Sequence, residues 1–202
     1  MRLSDRSRSP LALAAYGLAA VLAVLELSIL WLAIHPQVSD DYAAYFITRT
    51  TTCLVQPVTG EYQLGKTLNF RSEGDDTREV RPCGWTGPAG DGLHSIGEES
   101  RLRFAIAQPH DLVLTLEMTG VDLRNADTRQ IVVLAGDAPV GDAAIPAGET
   151  RTESFDIPAS AIKNGYLDIL LKFPNAVKPS DTIANTYWRS VKLLTGRLAP
   201  AP

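Results

Sequence analysis

The 202-residue sequence predicts an all-β protein, an antiparallel β-sandwich of jelly-roll form preceded by a single N-terminal transmembrane helix. Three observations carry that prediction. Leu11–Ile34 is one apolar run, interrupted by a single charge at Glu26. From Tyr62 onward the hydrophobic pattern has a period of two, as expected of strands with one face in a core. The alternating segments are separated by turn residues rather than by helices of crossover length, which argues against a parallel α/β sheet.

The apolar run comes first. Its 24 residues exceed the ~20 needed to cross a bilayer core. Its 12 Leu, Ile and Val residues contribute about -6 kcal/mol to insertion, against about +3 kcal/mol for one central acid. A cleaved signal peptide has a shorter apolar region, about 7–15 residues, followed by a small-residue cleavage site. Trp31–Gln37 reads WLAIHPQ and has no such site, so the segment reads as an uncleaved signal anchor. Arg2, Arg6 and Arg8 precede it, whereas Asp40 and Asp41 follow. That asymmetry places the N-terminus in the cytoplasm and the rest of the chain across the membrane. Ala12, Ala15, Ala19, Ala23 and Glu26 recur every three or four residues along one face. Small residues let a second helix approach closely, and a polar group can hydrogen-bond across to it. Ala15, Ala19, Ala23 and Glu26 are therefore the expected contacts to another membrane helix.

The predicted organisation is a cytoplasmic tail over 1–10, the transmembrane helix over 11–34, a membrane-proximal linker over 35–60, the sandwich over 61–196 and a frayed tail over 197–202. In the linker, Ser39-Asp40-Asp41 has the composition of a helix start. Tyr42, Tyr45 and Phe46 suit a membrane surface. A short spacer helix over Asp41–Thr48 follows from this. Beyond the anchor, with Arg2, Arg6, Arg8, Asp5 and Glu26 set aside, 16 basic residues face 21 acidic ones, a net of -5. That balance excludes nucleic acid as a main partner, because phosphate binding needs clustered Lys and Arg.

The strands follow in order. Tyr62–Phe70 is the first candidate. Leu102, Phe104 and Ile106 alternate with Arg103 and Ala105, and Leu112, Leu114, Leu116 and Met118 with Val113, Thr115 and Glu117. Gln130–Leu134 and Glu153–Ile157 come next. Leu167, Ile169, Leu171 and Phe173 alternate with Asp168, Leu170 and Lys172, and Trp188–Leu194 closes the series. Turn signals stand between them at Glu73–Asp76, Gly87-Pro88, Gly90–Gly92, Gln108–Asp111, Pro146–Gly148 and Asn164-Gly165. The two cysteines, Cys53 and Cys83, fall on the exported side. A disulfide between them is expected there, with two buried free thiols as the alternative.

Catalytic signatures are missing. The sequence has no G-x-S-x-G, H-E-x-x-H or Walker motif. His94, Ser95 and Asp91 could be assembled into a hydrolase only by sequence adjacency, which is not triad geometry. No acidic spacing is diagnostic of a metal site. The expectation is a protein with no catalytic residues, no metal and no cofactor.

Residues Tyr62–Ile106 carry a pattern of another kind. It runs Y-x-L-G-x-x-L-x-F, a Gly-rich turn, G-W-T-x-P, a Gly-x-His-Ser-x-Gly step and an L-x-F strand. Later come Gln130–Val133, Phe155–Pro158, Leu167–Ile169 and Phe173–Ala176. Over Tyr62–Leu194 this resembles the jelly-roll-like β-sandwich module associated with bacterial membrane glycosyltransferases and envelope polysaccharide proteins. The sequence departs from that module at Ala89, at His94 and at Tyr187–Ser190, where the module tends to carry Glu, a second aromatic and an Asp-Arg-Leu-Gly-like step. The resemblance implies a non-catalytic accessory subunit at the bacterial inner membrane, its head in the periplasm. Such a subunit would assist synthesis, modification or export of a polysaccharide by binding that glycan, a lipid-linked glycan or a membrane glycosyltransferase. The glycan-binding candidates are Trp85, Tyr187 and Trp188 as stacking surfaces, and His94, Glu98 and Arg189 as hydrogen-bonding groups. The competing reading puts Trp85 in the end of the sandwich and Trp188 in the core. At the level of the whole protein, the alternative is a purely structural interaction subunit with no sugar contact.

Overall fold

The protein is described from a computed structural model covering residues 10–35, 37–38, 42–48, 50–73, 77–122, 128–177 and 187–202. The chain divides into two units, Met1–Ser39 and Asp40–Pro202.

The first unit contains α1, Pro10–Ile34. Its 25 residues span about 37 Å at 1.5 Å per residue, enough for a bilayer core of about 30 Å. It is the one helix among the described residues long and apolar enough to cross a membrane. Length and composition fit a single-pass anchor, and an export signal meets the same test. Ser28 within it and His35 just beyond it bond its own backbone. Ser28 Oγ donates to the Val24 carbonyl at 2.7 Å. The His35 ring stacks on Trp31 with centroids 4.7 Å apart, and its Nδ1 lies 3.0 Å from the Trp31 carbonyl.

The second unit is a two-sheet antiparallel sandwich. Its strands are β1 (Thr67–Asn69), β2 (Leu93–His94), β3 (Glu99–Ala105), β4 (Leu112–Gly120), β5 (Thr128–Ala135), β6 (Ala138–Pro146), β7 (Thr150–Ile157), β8 (Tyr166–Lys172) and β9 (Val191–Pro200). The first sheet has the order β1-β9-β4-β7, with β2 also paired to β9, and the second has the order β3-β8-β5-β6. Strand order therefore departs from sequence order, and long connections carry the chain between layers. The period-two reading explains the layers directly. Leu112, Leu114, Leu116 and Met118 of β4, Leu102 and Phe104 of β3, and Leu167, Ile169 and Leu171 of β8 all point into one core. Each such side chain contributes roughly 1.5–3 kcal/mol by leaving water.

Several boundaries differ from the sequence expectation. The first candidate strand shortens to Thr67–Asn69 because Leu64-Gly65 turns the chain, with Gly65 at φ 84°. Tyr62 nevertheless clamps this edge: its hydroxyl bonds the Lys66 carbonyl and accepts from the Leu198 amide at 3.0 Å. The expected tail over 197–202 is instead the end of β9. Leu198 is wholly buried and Ala201 N donates to the Asp111 carbonyl. β6 carries no signal of its own, since APVGDAAIP is poor in β-branched residues and has proline at both ends. It forms as the edge partner of β5, where prolines are tolerated, and it inserts Ala143 and Ile145 into the core. In the linker, the short helix is a π-helical turn over Ala43–Ile47. The capping residues Ser39, Asp40 and Asp41 lie outside the described residues, as do the side chains of Tyr45 and Phe46 and most of the Glu73–Asp76 turn.

Cys53 and Cys83 form a disulfide with their Cα atoms 5.4 Å apart. After Cys53 the chain lies along the sandwich, held by Gln56 N to the Pro82 carbonyl, Gly60 N to the Glu79 carbonyl and Ala105 N to the Gly60 carbonyl.

Candidate functional site

The glycan-binding candidates separate into three places. Trp85 is buried, and its indole Nε1 donates to the Arg101 carbonyl at 2.7 Å. It offers no exposed stacking face and instead fixes the backbone of β3 from beneath. It belongs to the hydrophobic core cluster.

His94, Tyr187, Trp188 and Arg189 come together where the residues before β9 pass β2. The Trp188 carbonyl accepts from Gly97 N at 3.0 Å, and its ring is half-buried. Arg189 donates to the Tyr187 hydroxyl at 2.7 Å, and its guanidinium lies 4.7 Å from the centre of that ring. The Arg189 guanidinium therefore stands over one face of the Tyr187 ring, as the Arg103 guanidinium does over Tyr166. His94 Nε2 lies 3.3 Å from Asp91 Oδ1, and Lys192 Nζ donates to Asp91 Oδ2 at 2.8 Å. The Lys192 bond, with help from His94, holds the Asp91 carboxyl down at about 2 against the opposing effect of burial. Burial pushes the His94 imidazole down from its ordinary value, the Asp91 hydrogen bond opposes this, and the Arg189 charge adds to the fall. Ser95 points the other way. Its hydroxyl is wholly buried and accepts from Ser190 N at 2.9 Å and Val191 N at 3.1 Å. A nucleophile there has neither access nor a histidine, so these residues do not form a hydrolase triad.

Glu98 is exposed and stands at a hollow of about 250 Å³, with Thr51, Thr52, Phe173 and Pro174 around it. The Thr51 carbonyl accepts from Glu98 N at 3.2 Å. The close approach needs a glycine next door. Gly97 has φ 81°, and a Cβ there would lie 2.5 Å from the Thr51 oxygen. The Cys53–Cys83 bond begins one residue beyond this wall.

Glu99 and Lys172 line that hollow and also a larger open groove of about 580 Å³ on the outer face of the second sheet. The register of β3 against β8 builds its floor. Glu99 faces Lys172, Arg101 faces Leu170, Arg103 faces Asp168, and Tyr166 begins β8. From Tyr166 to Lys172 the floor runs about 20 Å at ~3.3 Å per residue. The far wall comes from Leu134, Gly136 and Asp137 at the β5–β6 turn and from Lys163. Asn164 and Gly165, both at positive φ (53° and 79°), turn the chain tightly between Lys163 and Tyr166. That is the requirement of a two-residue primed turn.

The groove combines a flat ring with fixed charges. Tyr166 is 38% exposed. Arg103 lies 5.4 Å from the centre of its ring and grips Asp168 with both arms, at 2.6 and 2.9 Å. That bond holds the Arg103 guanidinium above its ordinary value, with burial opposing. Lys172 sits 3.8 Å from Glu99. None of Tyr166, Arg101, Asp168 or Lys172 stands out in the sequence as a binding residue. The usable signal is that all four occupy outward positions of alternating strands, and it becomes a site only once β3 and β8 are known to be neighbours. Among the described residues no group of three His, Cys, Asp or Glu side chains is placed to hold a metal ion.

No family model and no curated protein matches this sequence. Solved structures with a similar fold include the xylan-binding domain CBM22-1 of Paenibacillus barcinonensis Xyn10C. It is 11% identical, with a TM-score of 0.42, and the match covers 70% of this chain and 99% of that one. The K1 cleaved adhesin domain of Lys-gingipain from Porphyromonas gingivalis W83 is 15% identical, with a TM-score of 0.40 over 68% and 90% of the two chains. A family 35 carbohydrate-binding module from an environmental isolate is 14% identical, with a TM-score of 0.38 over 74% and 97%. At such TM-scores these are likenesses of sandwich outline, and the functional reading rests on the groove itself.

Proposed function

We propose that this protein is a non-catalytic, membrane-anchored sandwich that binds a saccharide in the outer groove of its second sheet. The observation that carries the reading is the half-exposed Tyr166 ring at one end of an elongated groove whose walls supply carboxylates, ammonium groups and a guanidinium. An aromatic face suits the C–H face of a sugar, and fixed polar groups suit its hydroxyls. The groove is open and about 20 Å long, which favours a stretch of glycan chain over a single sugar. In the loop cluster around His94 the Arg189–Tyr187 and Lys192–Asp91 pairs are already formed, while His94 Nδ1 and Arg189 Nε are buried without a partner, so that cluster is the competing surface on this chain.

In this reading α1 holds the head at the bacterial inner membrane with its N-terminus inside. The head works in the periplasm as an accessory to polysaccharide synthesis, modification or export, and a membrane glycosyltransferase is the partner in the bilayer. The sequence resemblance supports that assignment, and the small-residue face with Glu26 supports a helix partner. Exposed Leu54 and Val55 beside the disulfide favour a second reading, a subunit that docks another protein with no sugar contact.

The test is titration of the full-length protein in phosphatidylcholine nanodiscs with a panel of neutral and acidic oligosaccharides, read by calorimetry. Binding to wild type and at least a tenfold loss in Tyr166→Ala, with the melting temperature unchanged, supports the groove. Binding insensitive to Tyr166→Ala, or no binding across the panel, removes it.

A further inference from the structure

The charges lining the groove are unequally committed. Glu99 is paired with Lys172 and Asp168 with Arg103. That leaves Arg101, Lys163 and Asp137 with no side-chain ion pair or hydrogen bond to any described residue, two cations against one anion. Arg101 is the most unusual of the three. Its backbone is held on both sides, by its amide to the Cys83 carbonyl at 3.0 Å and by Trp85 Nε1 on its own carbonyl. Its Nε is buried and has no acceptor. A buried guanidinium nitrogen with an unmet donor is costly unless an acceptor arrives. Its planar fork suits a carboxylate. Leu170 lies opposite it across the β3–β8 ladder, and Leu134 lines the same groove, giving an apolar bed beside the cation. The lining itself is balanced, with Glu99, Asp137 and Asp168 against Arg101, Lys163 and Lys172, so selectivity rests on which cations stand unpaired and not on net charge.

We infer that the groove selects an acidic saccharide, one that carries ring carboxylates, and that Arg101 receives the carboxylate with Lys163 as the second cation. This rests on the saccharide reading above and names the class of sugar. Glu99 and Asp168 then act through their partners, keeping Lys172 and Arg103 occupied so that the ligand's charge is directed to Arg101.

The experiment compares one backbone in two charge states. De-esterified oligogalacturonides and their fully methyl-esterified counterparts are titrated into the full-length protein in phosphatidylcholine nanodiscs. An oligoalginate serves as a second acidic series and a sulfated galactan oligosaccharide as a non-carboxylate anion. The expected result is at least tenfold tighter binding of the de-esterified form at 50 mM salt, a preference that shrinks as salt is raised. Arg101→Gln should reduce the preference to near unity without lowering the melting temperature, because its side chain bonds nothing in the fold. Lys163→Gln should reduce it partly. Equal binding of the two charge states, or a preference that survives Arg101→Gln, overturns the inference while leaving the groove reading in place if Tyr166→Ala still abolishes binding. Tighter binding of the sulfated galactan overturns the carboxylate assignment. Failure of every saccharide to bind overturns both.

Discussion

Removing the Cys53–Cys83 bond tests how the segment before the sandwich is held. Cys53→Ala with Cys83→Ala is the suitable pair, because Cys83 is buried and serine there would leave a hydroxyl without a partner. The two cysteines are 30 residues apart. The chain-entropy relation gives about 3.6 kcal/mol of stabilisation for a loop of that length. A domain of this size changes its melting temperature by roughly 2–4 °C per kcal/mol, so the double variant should melt about 7–14 °C lower. Urea unfolding of the detergent-solubilised protein, followed by circular dichroism, should show the same loss as a lower midpoint with a similar slope. The native contacts beyond the disulfide, such as Gln56 N to the Pro82 carbonyl and Gly60 N to the Glu79 carbonyl, remain available to the variant. The sandwich should therefore still fold. The local consequence falls on the wall formed by Thr51, whose carbonyl accepts from Glu98 N. The Glu98 amide should exchange its hydrogen much faster in the variant than the amides of β4, which lie at the centre of the first sheet. A melting shift below about 3 °C, or unchanged Glu98 exchange, would refute the reasoning that the bond constrains this segment.

Acid should weaken the fold through His94. Its folded pKa is depressed, so the native state binds fewer protons than the unfolded one. The stability linked to it is fully present above the unfolded pKa of about 6.5. It is lost as pH falls through the lower folded value. Urea midpoints should fall as pH is lowered below about 6.5 in wild type and less in His94→Gln; parallel curves would refute the assignment. Asp91, at about 2, keeps its contribution above 3.8 and loses it only as pH falls towards 2. On the proposed anchored reading of α1, Glu26→Leu should keep the protein with the membrane fraction but release it from a detergent-stable complex with a partner. Unchanged co-purification after mild detergent extraction would remove the helix-docking proposal.

Local patterning determined much of this protein. A run of apolar residues with no polar face reads as a membrane-length helix without any knowledge of neighbours. Leu112–Met118 and Leu167–Phe173 read as strands because their inward and outward positions alternate within the segment itself. The Asn164-Gly165 turn follows from the backbone freedom of those two residues. β6 was hidden because its strand character comes from the edge of β5 and not from its own residues. The end of β9 reads as a tail because LAPAP has weak strand propensity, and only its pairing with β4 orders it. The candidate site was less legible still. Conspicuous residues such as Trp85 and Tyr187 stand out by type, yet one lies beneath β3 and the other carries Arg189 over one ring face, as Tyr166 carries Arg103. Arg101 lies 65 positions before Tyr166 and 67 before Asp168, across the β3–β8 pairing. Alternation assigns each to an outward face, but only the register decides which outward faces meet, which charges cancel and which guanidinium is left without an acceptor.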